Sequence, residues 1–139
     1  MPITLKIVTP ERVVYEKEIQ QVSVPTTTGE ITILANHIPL ISTLAAGELK
    51  ILDQAGEHLI AVAGGAIEVR PGNDVIILAD NAERAEEIDI ARAEEARKRA
   101  EAEMQKAKQA EDIDFAKLQA IMERELNRVR VGKKYRKLP

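Results

Sequence analysis

The sequence predicts an α+β chain, with an N-terminal antiparallel β-sandwich of about ten short strands followed by a C-terminal α-helical hairpin. Three observations carry that reading. Up to Ala79, apolar and polar residues alternate in short runs, punctuated roughly every eight to twelve residues by Pro, Gly, Asn or Asp. No gap between those runs is long enough for a helical crossover, which excludes a parallel sheet built from β-α-β units. From Asp89 onward the composition turns to Ala, Glu, Lys, Arg and Gln, the residues that lose least on entering a helix. The period changes within the stretch Asp80 to Arg99, so the chain divides into residues 1–84 and 85–139.

In order, Ile3-Thr4-Leu5-Lys6-Ile7 alternates and is ended by Pro10, and Val13-Val14-Tyr15 restarts the pattern. Ile19 to Val24 stops at Pro25, and Thr26-Thr27-Thr28-Gly29 turns the chain into Glu30-Ile31-Thr32-Ile33-Leu34. Gly47 to Leu52 and His58 to Ala63 form a hairpin about Asp53-Gln54-Ala55-Gly56. Gly64-Gly65 marks a place where φ turns positive or two backbones approach closely, before a new strand Ala66 to Arg70. Val75-Ile76-Ile77-Leu78-Ala79 is apolar on both faces and predicts a central or doubly covered strand.

Asp89 is the expected N-cap of a first helix reaching about Ala110, and Asp112 or Asp114 that of a second from Phe115 to about Arg130, stopped by Gly132. Ala93, Ala96, Ala100, Met104 and Ala107 would form one stripe, and Phe115, Leu118, Met122, Leu126 and Val129 the facing one. An alanine methyl contributes only about 1 kcal/mol when buried. A hairpin seated on alanine is therefore expected to be held lightly and to open if another surface takes up the large stripe, although the same pattern also reads as a permanently closed helical cap.

Composition removes several classes of function. There is no cysteine, so disulfides, thiolate metal sites and thiol nucleophiles are excluded, and two separated histidines, His37 and His58, make no zinc cage. One Phe, two Tyr and no Trp leave little to stack nucleic-acid bases on. No leader or membrane-spanning run is evident. The first 80 residues carry 10 acidic and 5 basic side chains, whereas Arg128, Arg130, Lys133, Lys134, Arg136 and Lys137 crowd the end, a contact for an acidic partner or simply a solvated terminus. Gly64-Gly65 lacks the spacing of a phosphate loop, and His37 has no nucleophile beside it. At the strand-to-helix junction, Arg92 and Arg99 lie two turns apart on one helical face, with Asp89 and the free N–H groups of the helix start beside them. That set suits an anionic ligand, and it also reads as solvated decoration of a charged helix.

The run Gly29-Glu30-Ile31-Thr32-Ile33-Leu34-Ala35-Asn36-His37-Ile38-Pro39-Leu40, with Val62 to Val69, Val75 to Ala79 and Ala82 to Asp89, resembles the epsilon subunits of F-type ATP synthases over essentially the whole chain. Ala35-Asn36 stands where that family usually has Pro-Gly, and Asn36 is expected to accept positive φ there. The resemblance implies a non-catalytic rotor subunit that needs no cofactor. Its partners would be the gamma subunit, the c-subunit ring and the alpha/beta catalytic head, with no nucleic acid and no membrane insertion, at the cytoplasmic face of a bacterial membrane. Glu30 and His37 fall at the ring-facing positions. The hairpin would extend to obstruct ATP hydrolysis. Ile88-Asp89-Ile90-Ala91-Arg92-Ala93 matches the family's I-D-x-x-R-A motif, so ATP is implied as a regulatory ligand held by Ile88, Asp89, Arg92 and Ala93, with Glu83, Arg99, Arg124 and Arg128 carried over beside them. A free-standing ATP-sensing module is the rival reading.

Overall fold

Two long strands, Gly56–Arg70 and Asp74–Arg84, carry the N-terminal part of the computed structural model, which describes residues 2–107 and 115–137. The chain falls into two units, residues 1–85 and 86–139. In the first, β1 (Ile3–Val8), β2 (Val13–Ile19), β3 (Gln21–Thr26), β4 (Gly29–Ile33), β5 (Leu40–Thr43), β6 (Gly47–Asp53), β7 (Gly56–Arg70) and β8 (Asp74–Arg84) follow one another. The sheet order is β2-β1-β8-β7-β6-β3-β4, with β5 on β7. The first half of β7 pairs with β6 and the second half with β5, while β8 pairs with it from Ile60 to Arg70, across both halves. The two strands thus belong to both layers, and the layers enclose one core that includes Leu5, Ile7, Val22, Ile51, Ile67 and Ile77.

Eight strands form among the described residues where about ten were expected. The segments 58–63 and 66–70 are a single strand, because Gly64 and Gly65 take φ of 76° and 118° while the pairing with β8 continues past them. β8 likewise continues beyond Ala79 to Arg84. One pairing is parallel, β1 with β8 from Thr4↔Asp74 to Val8↔Leu78. A parallel pair needs a long connection, and here the six intervening strands supply it in place of a helix. β8 is central as expected, but its second face is only partly covered, with Leu78 57% exposed. Asn36 has φ of 65°, as its place in the turn required, and its N–H donates to Oδ1 of Asn73 at 2.6 Å.

A buried polar group anchors the β6–β7 turn. The Asp53 carboxylate accepts from the Tyr15 hydroxyl at 2.8 Å, the Ala55 N–H at 2.8 Å and His58 Nε2 at 3.0 Å. Arg84 donates to the Val14 carbonyl at 3.0 Å, with its guanidinium 5.9 Å from the Tyr15 ring centre. Burial pushes the Asp53 carboxyl up, but the hydrogen bonds from Tyr15, His58 and Ala55 outweigh it and hold the group below the ordinary value of 3.8. Burial and the neighbouring Asp53 push the Tyr15 hydroxyl the other way, above its usual value. A depressed carboxylate stabilises the fold fully above its unfolded pKa, and that contribution is lost as pH falls through the lower folded value. The denaturation midpoint of the native chain is therefore expected to drop below about pH 4, and Asp53→Asn to lack that part of the drop. Parallel acid profiles for the two proteins would show that Asp53 is not the group responsible.

A 3-10 turn at Ala85–Glu87 spans the boundary between the units and leads to α1 (Ile90–Ala107) and α2 (Phe115–Arg136). Asp89 is the N-cap of α1, since its Oδ1 accepts from the Arg92 N–H at 3.1 Å and its carbonyl from the Ala93 N–H at 3.0 Å. The expected caps Asp112 and Asp114, the end of the first helix near Ala110 and the side chain of Ala107 lie outside the described residues. Ala93 and Ala100 are buried, and Ala96 and Met104 half-buried, so the alanine stripe faces inward as its spacing predicts.

The facing stripe differs from expectation. Phe115 and Leu126 are 40% and 42% exposed, whereas Leu118, Glu125, Val129 and Gly132 are buried and Met122 is half-buried. Intervals of four, three, four and three keep Leu118, Met122, Glu125, Val129 and Gly132 on one side of a helix, and the step of four from Met122 to Leu126 rotates Leu126 away. Gly132 does not end α2 either, for the helix continues to Arg136. A Cβ on Gly132 would lie 2.8 Å from Ile90 Cγ1 and 3.2 Å from Ile88 Cγ2. The glycine is there for close packing, which outweighs its helix penalty of about 1 kcal/mol.

Candidate functional site

The Ile88-Asp89-Ile90-Ala91-Arg92-Ala93 motif sits at the entry to α1 and is split by burial. Ile88 and Ala93 are 2% and 0% exposed, while Asp89 and Arg92 face solvent. The apolar residues fix the backbone and the polar ones are displayed at a helix start, where the first N–H groups favour an anion. Arg99, two turns on, is also exposed.

The two helices are antiparallel neighbours. Gly132 lies against Ile88 and Ile90, and Lys133 Nζ is 3.2 Å from Glu94 Oε1. The last turns of α2 therefore stand beside the first turns of α1, with Arg128 one turn and Arg124 two turns back along α2 from that contact. Both arginines converge on Glu125, Arg124 Nη2 at 3.2 Å and Arg128 Nη1 at 2.8 Å. The basic end is thus less unopposed than its sequence suggests, as Lys133 and Arg128 both have acidic partners.

Seven of the nucleotide-site residues named from the sequence fall in the hairpin unit: Ile88 and Asp89 just before α1, Arg92, Ala93 and Arg99 on α1, and Arg124 and Arg128 on α2. Glu83 belongs to the first unit, in β8 opposite Ala61. Glu125 and Asn127 are buried polar residues that the sequence reading passed over. The four-three spacing through Glu125 is the signal that would have found it.

In the sandwich, Glu30 is exposed on β4 opposite Pro25, and His37 lies in the turn after β4 with its ring Nδ1 2.7 Å from the Ile38 carbonyl. That turn exposes Leu34 and Ile38, at 54% and 75%. On the outer face of β1, β5, β7 and β8 a groove of about 320 Å³ is lined by Val8, Ile41, Ile76 and Leu78, with Lys6 and Arg70 among its polar members. Ile41 is 75% exposed, so two apolar surfaces of this unit lie open to solvent. Among the described residues no helix is long and apolar enough to cross a membrane, and no group of three or more His, Asp or Glu side chains converges to hold a metal ion.

Family comparisons divide the chain in the same way. Residues 2–85 match the β-sandwich domain of the ATP synthase delta/epsilon chain, and residues 86–133 match its long alpha-helix domain. The chain belongs to the ATP synthase delta/epsilon chain family. The ATP synthase epsilon chain of Dehalococcoides mccartyi strain BAV1 is 47% identical over 99% of this chain and 96% of its own length. That of Halalkalibacterium halodurans is 43% identical over 92% and 95%. A solved chain from the Euglena gracilis mitochondrial ATP synthase, in a structure of OSCP, F1 and c-ring, shares the fold with a TM-score of 0.74 at 21% identity, covering 91% of this chain and 78% of that one. Another, from the central stalk and c-ring of the Tetrahymena thermophila mitochondrial enzyme, gives 0.59 at 16% identity over 97% and 96%. Membership of the delta/epsilon family accounts for the order of the units, a sandwich first and a helical pair second.

Proposed function

We propose that the chain is the non-catalytic epsilon subunit of the central stalk in a bacterial F-type ATP synthase. In that role it couples proton-driven rotation of the c-subunit ring, through the gamma subunit, to ATP synthesis in the alpha/beta head. The observation that carries this is the match of both units, in order and over nearly the full length, to bacterial epsilon chains. The same match favours a subunit over a free-standing ATP sensor. The subunit is peripheral, at the cytoplasmic face of the membrane.

The surfaces divide the work. The exposed turn with Leu34, His37 and Ile38, together with Glu30, suits the c-ring, and the groove of Ile41, Ile76 and Leu78 suits the gamma subunit, since each buries apolar area that is otherwise left in water. The helical pair acts as the inhibitor of hydrolysis. Its inner stripe contains a glycine and a carboxylate where larger apolar residues would bury more, so its closed form is held lightly. ATP, bound without being hydrolysed by Asp89, Arg92 and the arginines beside them, holds it closed. A ligand at one hundred times its dissociation constant for the closed form stabilises that form by about 2.7 kcal/mol. When ATP falls, the helices extend towards the head, and the basic end of α2 meets acidic surface there.

Truncation tests the inhibitory role. A chain ending at Ile88 retains every strand and is expected to assemble with gamma, while ATP hydrolysis by the assembled head rises severalfold. Hydrolysis unchanged by the truncation would refute the inhibitory function and leave the stalk function standing.

A further inference from the structure

Glu125 lies outside the nucleotide-site residues read from the sequence, yet it holds two of them. The residue is only 3% exposed, and both of its carboxylate oxygens are engaged. Oε1 accepts from Arg124 Nε at 3.3 Å and Nη2 at 3.2 Å, and Oε2 accepts from Arg128 Nη1 at 2.8 Å. An unpaired carboxylate on the inner stripe of a helix pair would be strongly disfavoured, and the two guanidinium groups neutralise it. They are themselves only partly covered, their side chains 40% and 23% exposed. The cluster is therefore a buried anion beneath two cations that a ligand can reach.

Carboxylate and phosphate oxygens compete for the same guanidinium donors. Building on the ATP reading above, we infer that Glu125 is a built-in competitor of the nucleotide: in the closed hairpin it occupies the Arg124 and Arg128 pair and lowers the affinity of that pair for a phosphate chain. Glu125 is tethered one and three residues from its partners, so it loses no translational freedom in meeting them, whereas the nucleotide does. Two guanidinium groups with one carboxylate present a net charge of +1 to the ligand, half of what the arginines alone would offer. A sensor attenuated in this way responds to a higher concentration of nucleotide than its arginines would otherwise set, which suits a ligand that is abundant when the hairpin is to stay closed.

Calorimetric titration of ATP into the full chain and into Glu125→Gln separates the outcomes. Glutamine keeps the size and an acceptor oxygen but removes the charge. Glu125→Leu, which completes the apolar stripe, serves as a second variant should the first lose helix on circular dichroism. Both variants are expected to bind ATP about tenfold more tightly than the native chain, the scale of removing one like charge a few ångströms from the phosphates. If the native chain binds ATP and the variants bind equally or more weakly, the competitor role is overturned and the nucleotide reading survives. If none of the three binds ATP, both fail.

Discussion

Gly65→Ala is expected to destabilise the sandwich by about 4 kcal/mol, the largest loss from any single methyl group in this unit. Gly65 has φ of 118°, and a Cβ there would overlap the Leu78 carbonyl oxygen and fall 2.8 Å from Ala79 Cα. Backbone conformation contributes roughly 1–3 kcal/mol of that cost, and forced separation of β7 from β8 a similar amount. Leu78 cannot move cheaply, because it is held on the other edge of β8 by its pairing with Val8 of β1. Gly56 has the same φ of 118° with nothing within 4 Å of its ideal Cβ, so Gly56→Ala carries the conformational part alone. Urea unfolding of the two variants beside the native chain measures the difference. Equal losses at the two positions would mean that close approach of the strands contributes nothing.

Arg92→Ala is expected to weaken ATP binding by 1.5–3 kcal/mol, about tenfold to a hundredfold, the range for hydrogen bonds to a charged group. The Arg92 side chain is exposed, and it is the backbone N–H of the residue that donates to Asp89 Oδ1, so the substitution leaves the helix start intact. Asp89 has two functions in the same place and needs a different variant. Asp89→Ala removes the cap and costs the helix about 1 kcal/mol whether or not nucleotide is present. Asp89→Asn keeps a capping oxygen and changes the charge, so any loss of ATP affinity it causes belongs to ligand contact. Titration of all three variants at one ionic strength makes the comparison. Unchanged binding in Arg92→Ala and Asp89→Asn would remove the motif from the site.

Much of this was legible because local chemistry and final structure agree. The cap at Asp89, the positive φ of Asn36, the Gly64-Gly65 approach and the inward alanine stripe each follow from what one residue can do with its own backbone or from a short period. The errors fall where that local rule has two outcomes. A glycine near the end of a helical pattern can cap it or let another element in, and only the presence of Ile88 and Ile90 decides for Gly132. Likewise, Leu126 is a better core residue than Glu125 by composition, yet the phase of α2 buries the carboxylate and turns the leucine outward.

By itself the sequence determined the order of sandwich and helical pair, the positions of the turns and the polar motif at the start of α1, since all of these depend on neighbours within a few residues. Tertiary structure decided the rest: that the first and last strands of the sandwich lie side by side and parallel, that Asp53, Tyr15 and His58 meet, and that Glu125 lies beneath two arginines of the candidate site. Strand order and helix phase depend on which distant surfaces exclude water together, and no pattern local to the chain records that choice.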